Sequence, residues 1–242
     1  MRLAWVLFNV VLWTTVCGLS VILVGLVEWR GRAIREIARI WAKLILLTAG
    51  VPYRLIGADR LDRNRHYVFA GNHESEFDIP LCFAAIPQQI VALAKIELRK
   101  IPVLGWAMLM AGHIFVDRKN HQRALAALEK TRKSLVRNPR SILIYPEGTR
   151  SLDGEIHQFK KGGIVLALSL GMPIVPMAMC GTGEVIRKDN WKIHPRLVEL
   201  RLGEPIETAG MEYKDREELT RRVYQSVLDL KAEWRAEQAA AR

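Results

Sequence analysis

Between Leu3 and Val27 the chain runs for 25 residues without an Asp, Glu, Lys or Arg. A helix rising about 1.5 Å per residue over that length spans the hydrocarbon core of a bilayer with some tilt. A secretory signal would have an apolar core of roughly 7 to 15 residues and then a small-residue cleavage site. Here Arg30, Arg32, Arg35, Arg39 and Lys43 follow instead. By the positive-inside rule, that basic cluster places the rest of the chain on the cytoplasmic side of an inner membrane. In the next stretch, Ala33 to Leu47, Ile34, Ile37, Ile40, Trp41, Leu44 and Ile45 recur at helical spacing with the cations elsewhere. This reads as an amphipathic helix able to lie in the membrane interface. Three arrangements stay open on hydropathy alone: the first segment crosses the bilayer, it forms a hairpin with the second inside one leaflet, or it is a buried core helix, which 25 uncharged residues disfavour.

The formal charge of +11 and a pI near 9.9 accompany a slightly positive mean hydropathy of +0.06. Basic and apolar together favour an anionic membrane surface as partner. Nucleic acid is disfavoured, because the basic residues are not interleaved with stacking aromatics and no recognised binding motif is present. Cys17, Cys82 and Cys180 are odd in number and widely spaced, so neither a disulfide framework nor a zinc site is indicated. No break in composition argues for two globular units. We read residues 1–50 as a membrane helix plus an amphipathic helix, and residues 51–242 as one catalytic domain with a C-terminal helix.

From residue 50 strand-like and helix-like stretches alternate, which predicts an α/β fold: a mixed, largely parallel sheet flanked by helices, with its site at one sheet edge. The expected strands are 66–70, 89–94, 113–116, 141–145, 174–180 and 197–202. The expected helices are 76–85, 103–111, 122–136, 163–170 and 215–237. In the last of these Leu219, Val223, Val227, Leu230 and Trp234 form one apolar stripe, read as core. The Ala-rich end beyond it is expected to fray.

Two motifs carry chemistry. The first is Asn72-His73-Glu74-Ser75-Glu76-Phe77-Asp78, which follows an apolar strand ending at Gly71 and leads into a helix with Ser75 as candidate N-cap. On a continuous helix, residues five apart differ by about 140° and do not face each other. His73 therefore belongs before the helix and Asp78 in its first turn. There the carboxylate accepts the proton of one imidazole nitrogen, fixes the tautomer and leaves the other nitrogen as a base. A zincin site would need H-E-x-x-H, and Phe77 stands at the final position, so no metal is predicted. No Ser or Cys lies in a G-x-S-x-G elbow, so the base is expected to act on a substrate hydroxyl.

The second motif is Tyr145-Pro146-Glu147-Gly148-Thr149-Arg150-Ser151. Pro146 ends a strand, Gly148 permits a sharp turn, and Arg150 offers a planar cation suited to bidentate phosphate binding. Glu147 is positioned to orient that Arg or to hold an acceptor hydroxyl. Lys160 and Lys161, between Phe159 and two glycines, are further candidates for a phosphate of acceptor or donor. His66, His113, His121, His157 and His194 have no partner at informative spacing and are assigned structural roles.

Read in order, these motifs make the chain resemble the 1-acyl-glycerol-3-phosphate acyltransferases, the lysophosphatidic acid acyltransferases of phospholipid synthesis. The resemblance rests on N-H-x4-D at 72–78, A-K-I-E-L-x-x-I-P-x-x-G-W at 94–106, I-F-V-D-R at 114–118, Y-P-E-G-T-R-S at 145–151, F-K-K-G-G at 159–163 and P-I-V-P at 173–176. It covers roughly residues 50–210, and several motifs in one order are far more specific than any one alone. It implies a glycerolphosphate acyltransferase-like fold. It also implies transfer of a fatty acyl group from acyl-CoA or acyl carrier protein to the free hydroxyl of lysophosphatidic acid, with no cofactor beyond that co-substrate. In its terms His73 is the catalytic base and Asp78 its orienting acid. Arg150 grips the acceptor phosphate, Glu147 helps bind the acceptor, and Gly148 and Thr149 complete that substrate-binding turn. Lys95 and Arg118 match basic positions of the phosphate pocket. A backbone amide near Gly148 is expected to meet the oxyanion. Tyr145 stands where Phe is more usual, and Glu74 and Glu76 add negative charge beside the base.

Three alternatives remain open from the residues. A sister enzyme acting on glycerol-3-phosphate or another lysophospholipid would keep the same base and turn. A thioesterase would use water in place of the lipid hydroxyl. A non-enzymatic basic membrane protein would account for the charge and the N-terminus, but not for the two motifs.

Overall fold

Four short runs, Val68–Gly71, Ser141–Ile144, Ile174–Cys180 and Val198–Leu202, are buried from end to end, the last with an internal Glu199–Arg201 ion pair. Continuous burial is the signature of strands covered on both faces. The computed structural model describes residues 1–28, 31–117, 121–186 and 192–241. Its strands are β1 Tyr53–Ile56, β2 Val68–Gly71, β3 Ile90–Lys95, β4 Ile114–Val116, β5 Ser141–Ile144, β6 Ile174–Cys180 and β7 Val198–Leu202. Its helices are α1 Arg2–Gly25, α2 Arg32–Ala49, α3 Asp78–Ala85, α4 Leu104–Met110, α5 His121–Arg137, α6 Gly162–Leu170, α7 Thr182–Val185 and α8 Arg216–Ala240. The strands form one sheet in the order β1-β7-β6-β2-β5-β3-β4. Every pairing is parallel except β6 with β7. The expected mixed, largely parallel sheet flanked by helices is the fold observed.

Alternate residues of the central strands feed two apolar layers. On one face Phe69, Leu143 and Met177 pack with Leu81 of α3 and with Ala42, Ile45 and Leu46 of α2. On the other, Val68, Ile142 and Ile144 pack with Ile164 of α6 and with Leu219, Val223 and Val227 of α8. The stripe read on the last helix is thus core. The apolar side of α2, assigned to a membrane interface from its periodicity, is largely spent on the protein interior, although Ile40 and Leu47 face outward.

The long apolar segment is a helix that packs along its length on the folded body. Its Trp5 Nε1 donates to the Thr48 carbonyl at 3.1 Å, and Trp41 Nε1 donates to Thr14 Oγ1 at 3.1 Å. Further along, Gly18 lets Val103 approach so closely that an added Cβ would lie 2.7 Å from Val103 Cγ1. Its opposite side leaves Phe8, Val11, Leu19 and Leu23 exposed.

Three expectations are corrected. Strand β1 was not foreseen: its four residues, Tyr-Arg-Leu-Ile, lie at the sheet edge with only alternate residues half-buried, a weak signal for periodicity. Ser75 is not the N-cap of α3, because that position falls to Phe77. The Ser75 hydroxyl instead donates to the Ile186 carbonyl at 3.2 Å. The C-terminal helix does not fray at its Ala-rich end but continues to Ala240. Alanine is the best helix former, and Arg201 Nη1 on β7 holds Glu237 at 2.8 Å.

The topology defines a crevice. From β2 the chain passes through α3 to β3 on one side, and from the adjacent β5 it passes through α6 to β6 on the other. Helices α3 and α6 lie on opposite faces. Where neighbouring strands part in this way, their carboxyl ends leave an opening, which is where ligands bind in open α/β sheets. His73 follows β2 and Glu147 follows β5, so both motifs lie at that point.

Candidate active site

The last residue of β2 is Gly71, where β6 runs too close for a side chain. An added Cβ there would lie 2.7 Å from Met177 Cγ. Asn72 then replaces the strand ladder with its side chain, accepting from the Met179 N–H at 2.8 Å and donating to the Met179 carbonyl at 3.2 Å. This clamp starts the loop that carries His73.

His73 Nδ1 lies 2.7 Å from Asp78 Oδ2. The same oxygen accepts the backbone N–H of Glu74 at 2.7 Å and of Ser75 at 2.9 Å. Asp78 is fully buried in the first turn of α3. A carboxylate held by two N–H groups can only accept from the imidazole, so Nδ1 carries the proton and Nε2 presents a lone pair. The Tyr145 ring stacks on the imidazole with centroids 4.1 Å apart and planes 16° apart, fixing the ring plane. Burial pushes the Tyr145 hydroxyl well above its ordinary range, and it faces the buried Cys82 Sγ at 3.6 Å. Together these contacts make a tautomer-fixed, orientation-fixed base with one open nitrogen.

The second motif is stitched to the first. Glu147 Oε1 accepts the His73 N–H at 2.8 Å and Oε2 accepts the His157 N–H at 3.0 Å. The Ser151 N–H in turn donates to the His73 carbonyl at 2.8 Å. Burial pushes the Glu147 carboxyl up, and the two N–H groups pull it back. Glu147 thus spends both oxygens on backbone, a use that the sequence reading did not foresee.

Gly148 sits at φ +78°, a left-handed turn that favours glycine. Its N–H donates to the Tyr145 carbonyl at 3.0 Å, so this amide closes the turn. Lys160 Nζ lies over the turn, 2.9 Å from where a Gly148 Cβ would be. Thr149 is exposed at the turn's outer edge. Arg150 is half-buried and ion-paired with Glu76, so the added negative charge at position 76 directly engages the motif's cation.

The structure therefore brings His73, Asp78, Glu147 and the Gly148–Arg150 turn together. Lys95 ends β3 at the same sheet edge, exposed and 3.4 Å from Glu97. Arg118 lies outside the described residues. Glu74 turns away from the crevice and pairs with Lys231 at 2.6 Å. Sequence reasoning missed Asn72, Tyr145 and Lys231. Asn72 and Tyr145 flank assigned residues and were legible as motif members, whereas nothing in the sequence links positions 74 and 231. Among the described residues, no group of three or more His, Cys, Asp or Glu is gathered that could hold a metal ion.

The acyltransferase family model matches residues 53–180, which include every residue of this constellation except Lys231. A 1-acyl-sn-glycerol-3-phosphate acyltransferase of Cocos nucifera is 31% identical over 196 residues, 80% of this chain. The chain spans 63% of that relative's length. One of Limnanthes douglasii is 32% identical over 207 residues, covering 84% of this chain and 73% of its own. Among solved structures, the 1-acyl-sn-glycerophosphate (LPA) acyltransferase PlsC from Thermotoga maritima superposes with a TM-score of 0.79 at 26% identity, covering 96% of both chains.

Proposed function

This chain belongs to the acyltransferase family, and from that premise we propose that it moves a fatty acyl group from acyl-CoA or acyl carrier protein to the sn-2 hydroxyl of lysophosphatidic acid, giving phosphatidic acid. The observation that carries the reading is the His73–Asp78 pair at 2.7 Å, at the opening between β2 and β5. The relatives' names supply the acceptor class.

His73 Nε2 takes the hydroxyl proton as the acceptor oxygen attacks the thioester carbonyl carbon. The new C–O bond gives a tetrahedral intermediate, and Asp78 stabilises the imidazolium beside it. Collapse breaks the C–S bond, and the imidazolium returns its proton to the departing sulfur. Holding acceptor and donor in one crevice supplies positioning in addition to proton transfer. Arg150 binds the acceptor phosphate, exchanging Glu76 for a dianion that its fork can grip with two parallel bonds. Lys95 adds positive charge at the same edge, Arg118 is assigned to the phosphate by the resemblance alone, and Gly148 and Thr149 shape the turn against which the acceptor lies.

The protein attaches to the cytoplasmic face of an inner membrane through α1. Since α1 is pinned to Thr48 at one end and lies against Val103 further along, carrying it across the bilayer would drag charged elements with it. Burying those charges in hydrocarbon is costly. We therefore favour α1 lying within one leaflet, with Phe8, Val11, Leu19 and Leu23 facing lipid, most of the apolar side of α2 kept in the protein interior, and the basic protein surface meeting anionic headgroups.

The test is acyl transfer by the purified protein in mixed micelles, with palmitoyl-CoA as donor and lysophosphatidic acid, glycerol-3-phosphate and lysophosphatidylcholine as acceptors. Phosphatidic acid formed only with lysophosphatidic acid supports the reading. A preference for another acceptor, or CoA release independent of acceptor, replaces it with the sister enzyme or the thioesterase.

A further inference from the structure

Outside the motifs, the most unusual side chain is Lys231 of α8. It is 5% exposed, and its Nζ donates to Glu74 Oε1 at 2.6 Å and to the Met179 carbonyl at 2.8 Å. Its cation also lies 4.8 Å from the Trp234 ring centroid. Glu74 Oε1 accepts a second bond, from Asn72 Nδ2 at 2.9 Å. The Met179 carbonyl is shared by Lys231 and Asn72. The result is a closed buried network joining the last helix, the end of β6 and the loop on both sides of His73.

A buried ion pair adds little net stability compared with apolar packing of the same volume, and its best-attested use is to fix register. Stability of this contact region is already provided by Leu230 and Trp234 of α8, packed against Ala178 and Cys180 of β6. What the pair adds is position. Glu74 is the residue whose backbone N–H holds Asp78 Oδ2 at 2.7 Å, and it directly follows the base. Its side chain is anchored 157 positions away in sequence, in a helix beyond the residues matched by the family model. A polar cavity of about 230 Å³ adjoins the pair, flanked by Glu74, Lys231, Trp234, Ser151 and Gly183. With Lys231 removed, that space lets the Glu74 carboxylate swing toward water and take its backbone with it.

We propose that Lys231 is a positioning residue for the catalytic loop: through Glu74 it holds the backbone N–H that orients Asp78, and so sets the tautomer and aim of His73. The inference rests on the acyltransferase reading of the His73 site, and its test includes a readout that does not depend on turnover.

Lys231→Met and the paired Glu74→Gln/Lys231→Met variant are compared with the wild type in full-length protein. The paired variant leaves no unpaired buried charge and guards against a simple folding defect. In both, kcat for acyl transfer is expected to fall by roughly tenfold or more, within the ~10²-fold that a 1 Å misplacement can cost, while KM for each substrate changes little. Heteronuclear NMR of isotopically labelled histidine, assigned with His73→Ala, reads the tautomer directly. The wild type should show a protonated Nδ1 and a bare Nε2, and both variants a mixture. An unchanged His73 tautomer in the paired variant overturns the inference whatever happens to kcat, as does a kcat that recovers along with thermal stability. A wild type that transfers no acyl group removes the acyltransferase reading, and the tautomer comparison still decides the tether.

Discussion

Glu147 accepts the backbone N–H of His73 at 2.8 Å, so the acidic residue of the second motif holds the histidine of the first by its main chain. Its other oxygen takes the His157 N–H at 3.0 Å. Two loops that leave adjacent strands are thereby locked at a fixed spacing. Replacing Glu147 by Ala leaves the half-buried His73 N–H without its acceptor, at about 1–3 kcal/mol, while the N–H of the exposed His157 can turn to water. Glu147→Ala should therefore lower the unfolding midpoint in urea as well as turnover, with Glu147→Gln, which keeps one acceptor oxygen, falling between.

The base and its acid should separate in character from the anchor. His73→Ala is expected to abolish transfer, and Asp78→Asn to cost roughly 10³- to 10⁴-fold by favouring the wrong tautomer. Both should still sediment with vesicles like the wild type. Near wild-type transfer by His73→Ala would remove the mechanism.

Arg150 and Glu76 make opposite predictions for the acceptor. Arg150→Lys keeps the charge but loses the fork, so the KM for lysophosphatidic acid should rise by about tenfold with a smaller change for the donor. Glu76→Gln removes the carboxylate that occupies Arg150. Exposed ion pairs are weak, so the acceptor KM should fall only by about threefold. An acceptor KM unmoved by Arg150→Lys would place the phosphate elsewhere.

Tyr145 contributes a ring and a hydroxyl, and only the ring touches His73. Tyr145→Phe should keep kcat close to the wild-type value. Tyr145→Ala should lower kcat and cost about 1 kcal/mol or more of stability through the lost stack and packing. Equal effects of the two substitutions in a steady-state assay would shift the role to the hydroxyl.

His113 gives the fold an acid-sensitive point. Its Nδ1 accepts the Ala92 N–H at 2.8 Å, and burial, then the nearby Arg140 cation, lower its pKa from 6.5 to about 4. Because the folded pKa is depressed, the contribution is complete above pH 6.5 and is lost as pH falls through about 4. The loss is on the order of 3 kcal/mol at most, and less where water reaches the half-buried ring. Urea unfolding between pH 7 and 4 should show a shallower decline for His113→Asn, whose amide oxygen can still accept the Ala92 N–H.

Much of the architecture was legible because it rests on local pattern. Runs such as Ile174–Cys180 are too apolar for any place but a doubly covered strand, and the stripe Leu219-Val223-Val227 can only be a helix with one buried side. His73 and Asp78 were legible because five residues across a strand-to-helix turn leave few ways for them to meet. Strand β1 was not, since a four-residue edge strand with only alternate residues half-buried differs little from a loop. Nor was the fate of Glu74 and Glu76, two neighbouring carboxylates of which one is buried against Lys231 and the other half-exposed on Arg150.

The sequence by itself determined which residues are able to do acid–base and phosphate chemistry, that a mixed α/β sheet carries them, and that a charge-free helix precedes them. These follow from side-chain type and periodicity, which are properties of short stretches. Tertiary structure alone decided that Glu147 serves the backbone of His73, that Tyr145 sets the imidazole plane, that α1 lies along the body of the protein, and that the last helix reaches back to the loop carrying His73. Each of these joins positions far apart in the chain, and such pairings are chosen by sheet order and burial, where an unpaired polar group is costly enough to select its partner.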